Sequence, residues 1–181
     1  MGVCVNMDKR VLWSMRDFLL RDQNEHAAFL FAEICNENAR TVFIIKDYYP
    51  ILNKVSENSP YGFSLDENAQ SRIIKRACDT GFSLVEVHSH PLTKKGTAFS
   101  SYDLQGLSEF VPYVWWRLKR RPYLALVFGQ TDYDALVWRR SPSYPERLDG
   151  IIVGNDLLLP TNKTVLRGLN INKTYGRRSK V

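Results

Sequence analysis

Phe82-Ser83-Leu84-Val85-Glu86-Val87-His88-Ser89-His90-Pro91, followed nine residues further on by Ser100-Ser101-Tyr102-Asp103, is the stretch on which the reading of this chain turns. Residues 82–87 form an apolar run that reads as a strand leading into the histidines. In a strand, positions i and i+2 face the same way, so His88 and His90 aim into one space while Ser89 faces away. Pro91 stops the strand. A helix should start at Ser100 or Ser101, with Asp103 in its first turn, where the carboxylate can swing back to the strand end. Two neutral imidazoles and one carboxylate suit one Zn2+ ion, with a water as its fourth ligand.

Each part also has an ordinary explanation. Strand histidines are often solvent-facing or hydrogen-bonded, and Asp103 three residues after Ser100 has the spacing of a helix capping box. Capping and ligation are compatible, because both require the carboxylate at a helix start. The combination is the signal: two of the chain's three histidines, a serine and an aspartate in one order, and a distant Glu25 at the start of a second apolar segment. Glu25 is the preferred general base. Glu86 is its rival, since it shares the strand face of the histidines. Glu33, in mid-strand, and Glu37, in a turn, are less suitable, and His26 has no ligand role because it faces the other way.

Outward from this stretch, residues 8–21 carry apolar positions at helical spacing. Residues 27–35 and 41–45 read as strands of a hairpin turning at Asn36-Glu37-Asn38. Residues 49–64 look irregular. A second helix spans 66–80 and stops at Gly81. The third helix contains Pro112, which predicts a kink or a split. Residues 123–128 and 133–138 pair across Gly129-Gln130-Thr131-Asp132, and short strands follow near 151–153 and 157–159. Helices and strands do not alternate regularly, so the expected class is mixed α/β with a mainly antiparallel sheet.

The chain has 181 residues, 44% of them apolar, enough for one domain with a real core. Residues 1–170 are expected to form it, with 171–181 a basic, flexible tail. The net charge of +6 is spread among alternating signs, and no nucleic-acid-binding motif accompanies it, so nucleic acid is not the expected partner. A basic binding surface using Trp115, Trp116, Arg117 and Arg121 is the weakest rival, because tryptophans in a helical apolar pattern usually belong to a core. The three cysteines lack a CxxC pair and read as buried free thiols. No run is long enough to span a bilayer and no signal-peptide pattern opens the chain, so a cytoplasmic location is expected.

His88-Ser89-His90-Pro91 with Ala98-Phe99-Ser100-Ser101-Tyr102-Asp103 resembles the JAMM motif of MPN-domain metalloproteases: His-x-His, about seven residues, then Ser-x-x-Asp, with a glutamate well upstream. In that family the upstream glutamate opens a segment of the form Glu-x-x-Gly-Leu-Leu-x-Gly. Here Glu25-His26-Ala27-Ala28-Phe29-Leu30-Phe31-Ala32 is similar, with alanine at both glycine positions. The interval from His90 to Ser100 is two residues longer than usual, and Thr93-Lys94-Lys95-Gly96-Thr97 is read as a flexible turn absorbing the surplus.

The resemblance implies an MPN fold, a cytidine-deaminase-like sandwich, with His88, His90 and Asp103 as zinc ligands, Glu25 as base and Ser100 as oxyanion donor. It implies hydrolysis of peptide or isopeptide bonds after the C-terminus of ubiquitin or a ubiquitin-like protein. The tail of such a substrate is expected to add as a strand beside the site, touching the 91–99 loop. The short chain looks like stand-alone prokaryotic deubiquitinase-like members, which work with E1/E2-like conjugation systems, some tied to antiviral defence. Two alternatives share the resemblance: a peptidase trimming the C-terminus of a sulfur-carrier protein, and a non-catalytic MPN scaffold.

Overall fold

Strands that are apolar at nearly every position must be covered on both faces. In the computed structural model, which describes residues 2–37, 39–52 and 67–166, this is how the sheet is built. The elements run β1 (Gly2–Asn6), α1 (Lys9–Leu19), β2 (Ala27–Glu37), β3 (Arg40–Pro50), α2 (Glu67–Thr80), β4 (Ser83–Ser89), α3 (Ser101–Arg117), β5 (Tyr123–Phe128), β6 (Tyr133–Trp138), β7 (Glu146–Arg147), β8 (Gly150–Val153) and β9 (Asp156–Leu158). They form one sheet in the order β7-β6-β5-β4-β2-β3-β1-β8-β9. The pairings β1/β3, β1/β8 and β4/β5 are parallel and the others antiparallel. The class is mixed α/β, as the element pattern predicts.

The alternation of side chains along each strand divides the core in two. Ala28, Leu30, Val85, Val87, Leu124 and Leu126 face α1, which contributes Leu12, Met15 and Leu19. Phe29, Phe31, Leu84, Tyr123, Ala125 and Val127 face α2 and α3, which contribute Ile73, Ala77, Leu107, Val111 and Val114. Each fully buried large apolar side chain contributes roughly 1.5–3 kcal/mol relative to exposure. By this alternation Glu86 and His88 fall on the α3 side of β4, and Ser89 on the α1 side.

The helix boundaries follow local chemistry. Asp8 caps α1 by accepting from the Arg10 amide at 2.7 Å. Gly81, at φ +77°, ends α2 in the left-handed region, and Arg121 donates to the carbonyls of Ala77 (2.6 Å) and Phe82 (3.0 Å). Arg121 is therefore a structural cap, and Trp115 is core, while Trp116 lies exposed with Arg117 against its ring.

Several expectations are corrected. Helix α3 runs through Pro112 without a break: buried Val111, Val114 and Trp115 hold it to the sheet and offset the lost hydrogen bond. Glu37 still pairs with Arg40, so β2 continues through Asn36 and Glu37, where a turn is expected. Strand β3 extends to Pro50, beyond the predicted end at residue 45. Strands β1 and β7 have no clear signal in the sequence, being short and defined by their neighbours. Of the three free cysteines only Cys4 is buried. Among the described residues no helix is long and apolar enough to cross a membrane. Asn38, Asp66, most of the irregular 49–64 connection, and the end of the chain with its basic tail lie outside the described residues.

Candidate metal centre

His88 sits near the end of β4, between Ala27 of β2 and Val127 of β5, and is 4% exposed. His90 lies just past the strand, where its amide still donates to the Phe128 carbonyl at 2.8 Å. That bond carries the extended geometry one residue pair further, and the two imidazole centroids are 5.2 Å apart. Helix α3 then delivers the third group. Ser100 is its N-cap, with the Asp103 amide donating to Ser100 Oγ (3.1 Å) and the Ser100 amide donating to Asp103 Oδ2 (2.7 Å). The capping box and the approach to the histidines coexist: Asp103 Oδ1 is 3.5 Å from His88 Nε2, and Oδ2 is 3.2 Å from His90 Nε2.

The potential ligand atoms of His88, His90 and Asp103 all lie within 4.8 Å of one another, so this group could hold a metal ion. The donor set passes a test of fit. His88 Nε2 is buried and has no hydrogen-bond partner among the described residues, an arrangement that costs free energy unless something else binds it. Ligand atoms on a tetrahedral zinc with bonds of about 2.0–2.2 Å lie roughly 3.3–3.6 Å apart; the two imidazole–Asp103 distances, 3.5 and 3.2 Å to different carboxylate oxygens, are of that size, and the whole group lies within 4.8 Å. Charge complementarity points the same way. Burial works to raise the Asp103 pKa, but the two imidazoles and Ser100 hold its carboxyl well below the usual carboxylate range. Burial works to lower the His88 pKa, but Asp103, with Glu86 and Glu25, pushes it up.

Glu25 and Ser100 share a cleft of about 500 Å³ with His90, Asp103, Gln23 and Leu92. Glu25 Oε1 is 3.7 Å from His90 Nε2, and its side chain is 41% exposed. The link between Glu25 and the histidines is Ser89. Its amide donates to the His26 carbonyl (3.0 Å), and its Oγ accepts from the His26 amide (3.0 Å). His26, just before β2, turns away to Asp22 and Phe18. Glu33 is on the surface with Lys46, and Glu37 is beside Cys35. Glu86 lies behind His88: Oε2 accepts from the Tyr123 hydroxyl at 2.6 Å, and Oε1 is 4.0 Å from His88 Nδ1. Burial raises its pKa, and it does not line the cleft, whereas Glu25 does.

The 91–99 loop is an anchored segment where a flexible turn is expected. The β5–β6 turn holds it: the Gln130 amide donates to Thr93 O (2.9 Å), Gln130 Nε2 to Pro91 O (2.8 Å) and Thr131 Oγ1 to Lys94 O (2.6 Å). Asp132 accepts from the amides of Gly96 (2.6 Å) and Thr97 (3.2 Å). Gly129 permits this approach, since a Cβ there would meet Thr97 Oγ1 at 2.1 Å. Strand β4 is bonded to β2 and β5 along both edges, so a strand added beside the site would have to pair with another segment.

Sequence reasoning missed the second anchor. Fully buried Asp134 accepts from the Thr164 amide (2.8 Å), Thr164 Oγ1 (2.5 Å) and the Ala135 amide (2.9 Å), and Thr164 Oγ1 accepts from the Phe99 amide (3.0 Å). This chain of bonds fixes Phe99, whose ring packs on His88, immediately before the α3 cap. The available signal is a carboxylate inside an otherwise apolar strand, which must find partners. Asp134→Ala is expected to lower the unfolding free energy by about 3 kcal/mol, since several buried donors lose their acceptor; urea unfolding measures this, with exposed Asp156→Ala as the near-neutral control.

No protein-family description matches the sequence, and no curated protein matches it. Among solved structures the chain is similar to the solution structure of protein DSY2949 from Desulfitobacterium hafniense, at 20% identity and a TM-score of 0.49, covering 86% of this chain and 94% of that one.

Proposed function

We propose that this chain is a zinc-dependent peptidase or isopeptidase of the JAMM type, with an MPN fold, acting after the C-terminus of a ubiquitin-like protein. The observation that carries the reading is one cleft lined by Glu25, Ser100, His90 and Asp103, the last two of which form a possible ligand group with buried His88. His88, His90 and Asp103 would hold the metal. Zinc there supplies a Lewis acid for the scissile carbonyl and lowers the pKa of a water to about 7.

The protein's own groups handle the protons and the developing charge. Glu25 and Asp103 are the carboxylates lining the cleft among the described residues; with Asp103 committed as ligand, Glu25 is left as general base. It takes a proton from the attacking water as the carbon–oxygen bond forms, then gives it to the departing amine as the carbon–nitrogen bond breaks. Ser100 Oγ already accepts from the Asp103 amide, so its hydroxyl proton is free to be donated toward the carbonyl oxygen as that oxygen becomes negative. The substrate class and an E1/E2-like conjugation system as partner rest on the motif resemblance.

The test is direct. Zinc-loaded protein is incubated with ubiquitin-like proteins fused or isopeptide-linked at their C-terminus, and products are read by intact mass. Cleavage at the junction, lost with chelator and restored by zinc, is expected. Zinc-loaded protein that cleaves no such substrate overturns the reading.

Ser89 gives a finer prediction. Ser89→Ala leaves the part-buried His26 amide without its Ser89 acceptor and loosens the backbone beside Glu25, at a stability cost of about 1 kcal/mol. Turnover is expected to fall roughly tenfold with zinc content unchanged, since about 1.4 kcal/mol of lost positioning corresponds to that factor. Ser89→Thr, which keeps the hydroxyl, should recover most of it.

A further inference from the structure

Glu86 is a largely buried carboxylate, its side chain 12% exposed, in a strand whose other residues are apolar, small or part of the site. Its register partners, Phe29 on β2 and Ala125 on β5, offer it no polar group. A carboxylate in such surroundings is costly unless specific partners hold it. Two do. The Tyr123 hydroxyl donates to Oε2 at 2.6 Å, and the phenol is itself fixed by edge contacts with Phe110 and Trp138 at centroid distances of 6.1 and 5.9 Å. On the other side, Oε1 faces His88 Nδ1 at 4.0 Å, an ion-pair distance that acts through charge and is too long for a hydrogen bond. His88 therefore lies between two carboxylates, with Nδ1 toward Glu86 and Nε2 toward Asp103.

We infer that Glu86 is a positioning residue of the metal centre, holding His88 through Nδ1 so that Nε2 is presented to the metal. The inference rests on the metal-binding reading of His88, His90 and Asp103, and it does not depend on any reaction. A proton on Nδ1 is stabilised by the carboxylate beside it, which leaves Nε2 with its lone pair facing Asp103 and His90. The negative charge also makes that nitrogen a stronger donor, as carboxylates behind metal-binding imidazoles do. Tyr123 acts one step further back by fixing the carboxylate. The arrangement explains why a residue with the right face and charge to be a base lies outside the cleft.

The test is zinc affinity, by competition with a chromophoric chelator, in the full chain and in Glu86→Gln, Glu86→Leu and Tyr123→Phe. Glu86→Gln keeps the shape and an acceptor for Tyr123 but removes the charge. It is expected to bind zinc about 10- to 100-fold more weakly, with a circular dichroism spectrum like that of the parent. Glu86→Leu should lose at least as much and Tyr123→Phe less. Cobalt substitution gives a second readout: the visible bands of the Co2+ form should shift in Glu86→Gln at saturating metal. A purely structural role would lower the melting temperature and leave both the affinity of the folded protein and the cobalt spectrum alone. If Glu86→Leu does not fold, Glu86→Gln decides. A folded Glu86→Gln with parental zinc affinity and cobalt bands overturns the assignment while the metal centre stands. A parent protein that binds no zinc overturns the centre and this assignment with it.

Discussion

Replacing His88 and His90 together by alanine is expected to take the protein from about one zinc per chain to essentially none, because one carboxylate cannot hold the ion alone. Elemental analysis after dialysis against trace zinc reads this directly. The same result should appear as stability. A ligand present at about 1,000 times its dissociation constant stabilises the folded state by about 4 kcal/mol, so zinc should raise the melting temperature of the parent protein. The double variant should show no such rise, and chelator should reverse it in the parent. His88 is 4% exposed and packs on the Phe99 ring, so its loss also leaves a cavity; His90→Ala alone, at the edge of the cleft, is the milder variant with the same expected direction. A metal-free parent, or a double variant with full zinc content, would exclude these residues as the metal centre.

Glu25→Gln is the second large effect. It keeps size and hydrogen-bonding capacity but cannot take a proton, so turnover is expected to fall by about 10²- to 10⁴-fold with zinc content unchanged. The separation of the two readouts is the point of the experiment. Glu25 Oε1 is 3.7 Å from His90 Nε2, near enough to serve the reacting water and outside the group whose ligand atoms converge. Loss of zinc in Glu25→Gln would make Glu25 a ligand. Unchanged turnover would remove it as the base, and because Glu86 lies behind His88 against Tyr123, the other carboxylate that lines the cleft among the described residues is Asp103, the proposed ligand.

Much of this was legible because it depends on short-range rules. The pairing of His88 and His90 follows from strand alternation. The position of Asp103 follows from helix capping, where the Ser100 spacing is itself the signal. Glu25 was harder, since 62 residues separate it from His88 in the sequence, and its place at the site depends on β2 pairing with β4 so that Ala27 faces His88. What could not be read was fixed by contacts between distant segments. Asp132 and Asp134 are two residues apart, yet one pins the 91–99 loop and the other pins Thr164 and, through it, Phe99. Nothing in a loop's own composition shows that a turn some 35 residues later supplies its hydrogen bonds.

The sequence by itself determined the class of fold, the candidate ligand types and the face on which they stand, because periodicity and capping act over a few residues. Only the tertiary structure decided that the loop between the histidines and Asp103 is held rather than loose, and that the site strand has no free edge for a substrate to join. It also separated the two glutamates. Both stand on or beside strands that lead to the histidines, and local pattern treats them alike. Burial behind His88 against Tyr123 took Glu86 out of the cleft, and the pairing of β2 with β4 brought Glu25 into it.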